Sequence, residues 1–244
     1  MRIIFSRKGF DQGAGGGPSP IVDGRPVSLP IPDTKGLSRT TYGDLGLGEL
    51  ASQASGGRYH ADSLCHHDPM FCEDGTVHLG QCHTSQSHLA NQGVGIGDVF
   101  LFFGWFRGDG WTDHHRVFGY MRVTETTDVR TLGTSDRDRF LALEHPHAIG
   151  MHGANDMIYS GEGRLASTAP EALCLTDRGY PRSVWRRPDW LEPGTLSYFG
   201  TGSANWPPGQ VTRVGNGQEF VTDIADRPEP RAWLDAMIEE INRS

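Results

Sequence analysis

The chain has 244 residues, with 22 Lys and Arg against 30 Asp and Glu, a formal charge of −8 at pH 7. Nonspecific binding to a polyphosphate backbone draws its affinity from counterion release at a basic face. This balance therefore argues against a protein that coats DNA or RNA, and leaves only a local patch such as Arg182, Arg186 and Arg187. Hydrophobic residues at 36% suffice for a buried core, four cysteines are too few for a disulfide scaffold, and 33 Gly with 15 Pro predict short elements joined by many turns.

Arg2–Ser6 predicts a first strand, because Ile3, Ile4 and Phe5 are β-formers. It runs through Arg7-Lys8-Gly9-Phe10-Asp11 into a glycine-rich stretch, Gly13 to Gly17. Such a stretch lets backbone N–H groups approach a ligand, but it lacks the Gly-Lys-Ser/Thr ending of a P-loop. Residues 21–31 alternate around Asp23-Gly24 and predict a hairpin. Thr41–Ala54 predicts a helix capped by Thr40 or Thr41. Residues 56–92 show little periodicity and predict a long loop, with one helical turn near Ser85–Ala90. The apolar run Val99–Phe106 predicts a strand buried on both faces, and Val117–Val123 a returning strand across a polar loop at 107–116. Arg137–Leu143 predicts a short helix, His145–Tyr159 another polar loop and Ala169–Leu175 a short strand or turn. Pro230–Asn242 predicts an amphipathic helix with Pro at its start. No repeat or linker divides residues 1–244, which read as a single domain.

Chemistry concentrates between Cys65 and Gln92, where three cysteines, five histidines and Asp68 fall in under thirty residues. Thiolates and imidazoles hold zinc, but no C-x2-C pair exists and six and nine residues separate successive cysteines. The residues by themselves assign no metal ligand. His67-Asp68-Pro69 reads either as an imidazole–carboxylate pair for proton transfer or as an Asx turn before Pro. Ser6, Arg7, Lys8 and Asp11 stand at a strand end, either to meet an anionic ligand or to pair among themselves. His145-Pro146-His147 with Asn155 makes a third polar cluster, read as ligand site or solvated loop. Trp105, Trp111, Tyr120 and Trp185 are read as core residues or as faces on which a base stacks.

Several phrases together resemble a known family. They are the SRKGFD…GGxPSPI phrase at 6–21, SLPIPD at 28–33, His66-His67-Asp68-Pro69, SHLANQGVGIGDVFLFFGWFR at 87–107, FGYMRV at 118–123 and His145-Pro146-His147. The chain resembles the nucleotide modification associated domain family, type 3, and this resemblance implies a role in modifying bases or nucleotides. Phe71 stands where the motif of that family carries Asp, which argues against a paired-carboxylate mechanism. A shorter likeness, Gly97-Asp98 through Val123, resembles PUA-like small barrels, which hold modified or flipped bases.

The expectation is an α+β chain, β-rich, with a PUA-like small barrel or mixed sheet, short helices and a C-terminal helix. Its expected activity is on a nucleotide, nucleoside or modified nucleobase by acid–base chemistry. Asp11, His67, Asp68 and His88 are the candidate catalytic groups, with Asp11 or Asp68 as base. Ser6, Arg7, Lys8, Gly16, Gly17, Gln81, Asn91, Gln92, Trp105, His145, His147 and Asn155 are the candidate substrate contacts. Rival readings are a non-catalytic reader of modified bases and a metal-dependent enzyme using the 65–88 segment. The cofactor stays open. The expected partner is a nucleotide or modified base, with nucleic acid through a local site and no membrane, and the expected compartment is the cytoplasm.

Overall fold

Residues 99–106 are buried without interruption, as a strand covered on both faces requires. The computed structural model describes residues 1–108, 110–212 and 219–243. In chain order its elements are β1 (Arg2–Arg7), β2 (Ser19–Val22), β3 (Arg25–Pro26), β4 (Ile31–Pro32), α1 (Gly48–Ser55), β5 (Cys65–His66), β6 (Met70–Phe71), β7 (Thr76–Gln81), α2 (His83–Asn91), β8 (Val99–Gly108) and β9 (Trp111–Asp128). They continue with α3 (Thr134–Ala142), β10 (Met157–Leu165), β11 (Trp185–Arg186), β12 (Gln210–Val211), β13 (Glu219–Asp223) and α4 (Pro228–Arg243). The main sheet runs β13-β1-β8-β9-β10-β7-β6, with β2 also on β8 and β3 on β2. β1 and β2 lie parallel to β8, and the other ladders are antiparallel. The sheet curls into a half-barrel, and the fold is mixed α+β with a C-terminal helix, as expected.

Alternation along β1 and β8 sorts the core. Ile3, Phe5, Val99, Leu101 and Phe103 face Trp185, Phe220 and the buried stripe Leu234, Met237 and Ile241 of α4. Ile4, Phe100 and Phe102 face the other way, with Val77, Leu79 and Tyr159 and with Leu89 of α2. A third cluster, Phe10, Leu29, Tyr42, Ala51 and Cys65, anchors the segment that follows β1.

Three expectations need correction. The helix expected over 41–54 forms only at 48–55. Before it Asp44 accepts from the Thr41 N–H (2.8 Å) and hydroxyl (2.7 Å), and a Cβ would meet Ala61 at 3.1 Å from Gly43 and at 2.7 Å from Gly48. Residues 56–92 are not one long loop, since they supply β5, β6, β7 and the nine-residue α2. The polar loop expected at 107–116 is mostly strand, because β8 runs to Gly108 and β9 begins at Trp111. His115 and Arg116 are polar yet buried there because they have partners: Trp185 Nε1–H donates to His115 Nδ1 (3.0 Å), and Arg116 Nη1 donates to the Pro170 carbonyl (2.7 Å). Among the described residues, no helix is long and apolar enough to cross a membrane.

Candidate functional site

Lys8 follows the last residue of β1, and its N–H donates to the Phe103 carbonyl at 2.8 Å, which holds it on the sheet. Its Nζ lies 3.0 Å from Oε1 of Glu219, which opens β13. The same oxygen accepts from Gln81 Nε2 at 2.7 Å at the end of β7. One buried carboxylate oxygen therefore ties together the ends of three strands. Burial pushes the Glu219 carboxyl above its ordinary range despite the opposing pull of Lys8.

Asp68 lies beside this junction, in the cis Asp68–Pro69 dipeptide. Its side chain is 4% exposed, and Oδ1 accepts from the Gly80 N–H at 2.9 Å. Nε2 of His145 stands 3.8 Å from Oδ1, and Nε2 of His147 stands 4.0 Å from Oδ2. Burial pushes Asp68 up to about 7, against the pull of Lys8 and the Gly80 N–H. Burial also holds His145 and His147 well below the ordinary imidazole value. These contacts thus join a carboxyl to neutral rings rather than forming ion pairs.

Beyond His147 the cluster continues. His147 Nδ1 lies 3.5 Å from Asp156 Oδ1, and its ring stacks on His152 with centroids 4.1 Å apart. His66 Nε2 and His152 Nε2 are 2.9 Å apart. Burial, with His147 and His152 adding to it, pushes His66 down to about 3. Cys82 is pushed up to about 11 by burial and by the Asp156 carboxylate. Ligand-type atoms of His66, His147 and His152 lie within 4.8 Å of one another, as do those of Cys82, His147 and Asp156. A cavity of about 210 Å3 opens onto Lys8, Asp68, Gln81, Cys82, His147 and His152.

The residues singled out from sequence divide. Lys8, Asp68, Gln81, His145 and His147 converge here, and Ser6 stands opposite Glu219 in the ladder. Arg7 and Asp11 reach the cavity edge, paired with each other at 3.7 Å. Asp11 Oδ1 accepts from the Gly13 and Ala14 N–H groups, both at 2.7 Å, so this carboxylate caps the glycine loop. Gly16 and Gly17 pack beside Arg58 and the Ala54 carbonyl instead of lining the cavity. His67 lines a different cavity with Phe71 and Phe118. His88 stacks on Tyr198 at 4.2 Å and hydrogen-bonds Ser197 Oγ at 3.0 Å, apart from Asp68. Asn91 and Gln92 are exposed at the end of α2. Asn155 clamps the start of α2, accepting from the His83 N–H (2.7 Å) and donating to its carbonyl (3.0 Å). The Trp105 ring is covered by the Arg182 guanidinium at 4.0 Å.

Glu219, His152 and Asp156 are not among the sequence candidates, while His66 and Cys82 enter only through the metal reading of the 65–88 segment. The one signal that pointed to His152 and Asp156 was their place on the loop that carries His145 and His147. Nothing local marks Glu219, which is 211 residues from Lys8.

Fold and cavity together define an α+β half-barrel that gathers a lysine, buried carboxyls and neutral imidazoles around one small cleft. Residues 2–223 match the family described as nucleotide modification associated domain 3, and the chain belongs to that family. No curated protein and no solved structure matches it significantly.

Proposed function

We propose that this protein is an enzyme that modifies a nucleotide, nucleoside or nucleobase by proton transfer at Asp68, with Lys8 holding an anionic or carbonyl group of the substrate. Membership of a nucleotide-modification family supports the substrate class. The convergence of Lys8, Asp68, Gln81 and His147 on one cavity carries the chemistry. A general base works best when its pKa lies near the working pH, and a carboxyl raised to about 7 meets that condition. His145 and His147, neutral at that pH, flank the Asp68 carboxyl with their Nε2 atoms at 3.8 and 4.0 Å and position it toward the substrate. Glu219 acts through others: it fixes the Lys8 ammonium and the Gln81 amide, leaving the Gln81 carbonyl free to select an N–H or O–H of the substrate.

The cavity, at about 210 Å3, is smaller than the roughly 300–1,000 Å3 of sites that enclose drug-sized ligands. It takes one flat ring or one phosphate and leaves the rest of a nucleotide outside. A polymer end or extruded base fits this arrangement as well as a free nucleotide does. The reading in which this is a reader without chemistry draws less support, because Trp105 lies under Arg182 instead of facing the cleft.

The test is Asp68→Asn, which keeps the oxygen that accepts from Gly80. Incubation of the full chain with a panel of nucleosides, nucleotides and short oligonucleotides, read by mass spectrometry, should show product for the native chain. The variant should lose about a hundredfold or more in rate with a melting temperature no lower than native, because the amide carries no penalty for a buried charge. Native-like turnover by the variant overturns the assignment of Asp68. Absence of both product and any ligand-induced melting shift across the panel overturns the substrate class.

A further inference from the structure

We propose that His66, His147 and His152 form a binding site for a divalent transition-metal ion, beside a second group of ligand-type atoms, from Cys82, His147 and Asp156, that shares His147. The inference goes beyond the nucleotide reading, and each can stand without the other.

Geometry carries it. Two nitrogens bound to one ion at about 2.0–2.1 Å stand roughly 2.9 Å apart at a right angle and about 3.4 Å apart in a tetrahedron. The His66 and His152 Nε2 atoms are 2.9 Å apart, and His147 completes a trio within 4.8 Å. Without an ion, the first contact is a single N–H···N hydrogen bond, which does nothing for His147. Its Nδ1 and the facing Asp156 Oδ1 are buried and have no hydrogen-bond partner among the described residues. Buried polar atoms seldom go unpaired, and a cation bound here would satisfy this ring nitrogen and the carboxylate oxygen facing it.

The surroundings fit a ligating histidine. A carboxylate flanks each nitrogen of His147, Asp68 at Nε2 and Asp156 at Nδ1. Whichever nitrogen takes the ion, the other faces a carboxyl oxygen, at 4.0 Å on the Asp68 side or 3.5 Å on the Asp156 side, the kind of neighbour that orients the ring in metal sites. The imidazoles are kept neutral by burial, the form in which they ligate. Gly80 makes the approach possible, since a Cβ there would sit 2.0 Å from the His147 ring. Imidazole-rich donor sets favour zinc, iron, cobalt, nickel or copper over magnesium and calcium, which prefer oxygen. The adjoining cavity gives an ion a route in and leaves a position for water or substrate.

The experiment uses the full chain with any polyhistidine tag removed, stripped with chelator and titrated with Co2+. One equivalent should bind per chain, with visible d–d absorption that Zn2+ abolishes. His66→Ala and His152→Ala should each weaken binding about tenfold or more, and His88→Ala, outside the cluster, should leave it unchanged. His152 is only partly buried, so its variant keeps the comparison available if His66→Ala fails to fold. No saturable binding, or binding that survives both substitutions in folded protein, overturns the site. Nucleotide-induced melting shifts of the stripped chain report separately on the nucleotide reading.

Discussion

A Cβ added at Gly80 would lie 2.0 Å from Cδ2 of His147, while the Gly80 N–H holds Asp68 at 2.9 Å. The missing side chain lets a strand and a histidine loop touch, and the same residue orients the carboxyl. Gly80→Ala must therefore displace His147 or the strand. Overpacking of this kind costs about 1–3 kcal/mol. Chemical denaturation should show that loss, together with weakened Co2+ binding. Gly95→Ala is the control, because nothing lies within 4 Å of a Cβ there, and its stability should stay within about 0.5 kcal/mol of native. Native behaviour of Gly80→Ala in both measurements would refute the packing account. At this scale much of the site was legible. Lys8, Asp68, His145 and His147 have the right chemistry in dense polar runs, and all converge. His88 had the same chemistry and went elsewhere, since its place on α2 turns it toward Ser197 and Tyr198. Residue type marks what a side chain can do, and only the fold decides what it faces.

β1, β8 and α4 could be read from the sequence because each carries an apolar pattern matched to its burial: uninterrupted in β8, one-sided in α4. β7 could not. Its sequence, TVHLGQ, alternates Val and Leu with His, Gly and Gln, yet five of its six residues are buried. The polar positions are inside because they have partners, His78 Nδ1 with Ser160 Oγ at 2.8 Å and Gln81 with Glu219. A polar residue satisfied by a distant strand looks, in one dimension, like a loop residue. The division of faces gives a prediction at the scale of the element. Ser6, Gln81 and Glu219 share strand parity with Ile4, Leu79 and Val221, on the side away from α4. Leu234 is fully buried on the α4 side. Leu234→Ala should cost about 2–5 kcal/mol in unfolding free energy yet leave Co2+ affinity and any nucleotide-induced melting shift at native values. Ligand binding lost in step with stability would show that α4 and the cleft are coupled through the sheet.

Across the whole molecule, buried imidazoles set how stability responds to acid. His115 is the cleanest case, because it lies on the α4 side of the sheet, packed against Phe103 and Trp185 away from the His66–His147–His152 cluster. It is 3% exposed, and its Nδ1 accepts from Trp185 Nε1–H at 3.0 Å. Burial, with Arg7, Arg182 and His114 adding to it, pushes its pKa from 6.5 down to about 3. Between those values the unfolded chain binds a proton at this ring and the folded chain does not, so acid favours unfolding. The contribution of His115 to stability is complete above 6.5 and falls as pH drops toward 3, by about 1.4 kcal/mol per unit. Asp68, raised to about 7, has the opposite sign: its burial penalty is absent below 3.8 and grows as pH rises toward 7. A bare stability profile therefore mixes the two, and a difference between variants separates them. His115→Gln retains an acceptor for the indole N–H but carries no titratable proton. Its unfolding free energy relative to the native chain, measured in denaturant at pH 7, 6 and 5, should improve by about 2 kcal/mol over that range. A difference that stays constant with pH would mean that His115 takes up its proton without leaving the fold, and that Trp185 does not hold it as an acceptor.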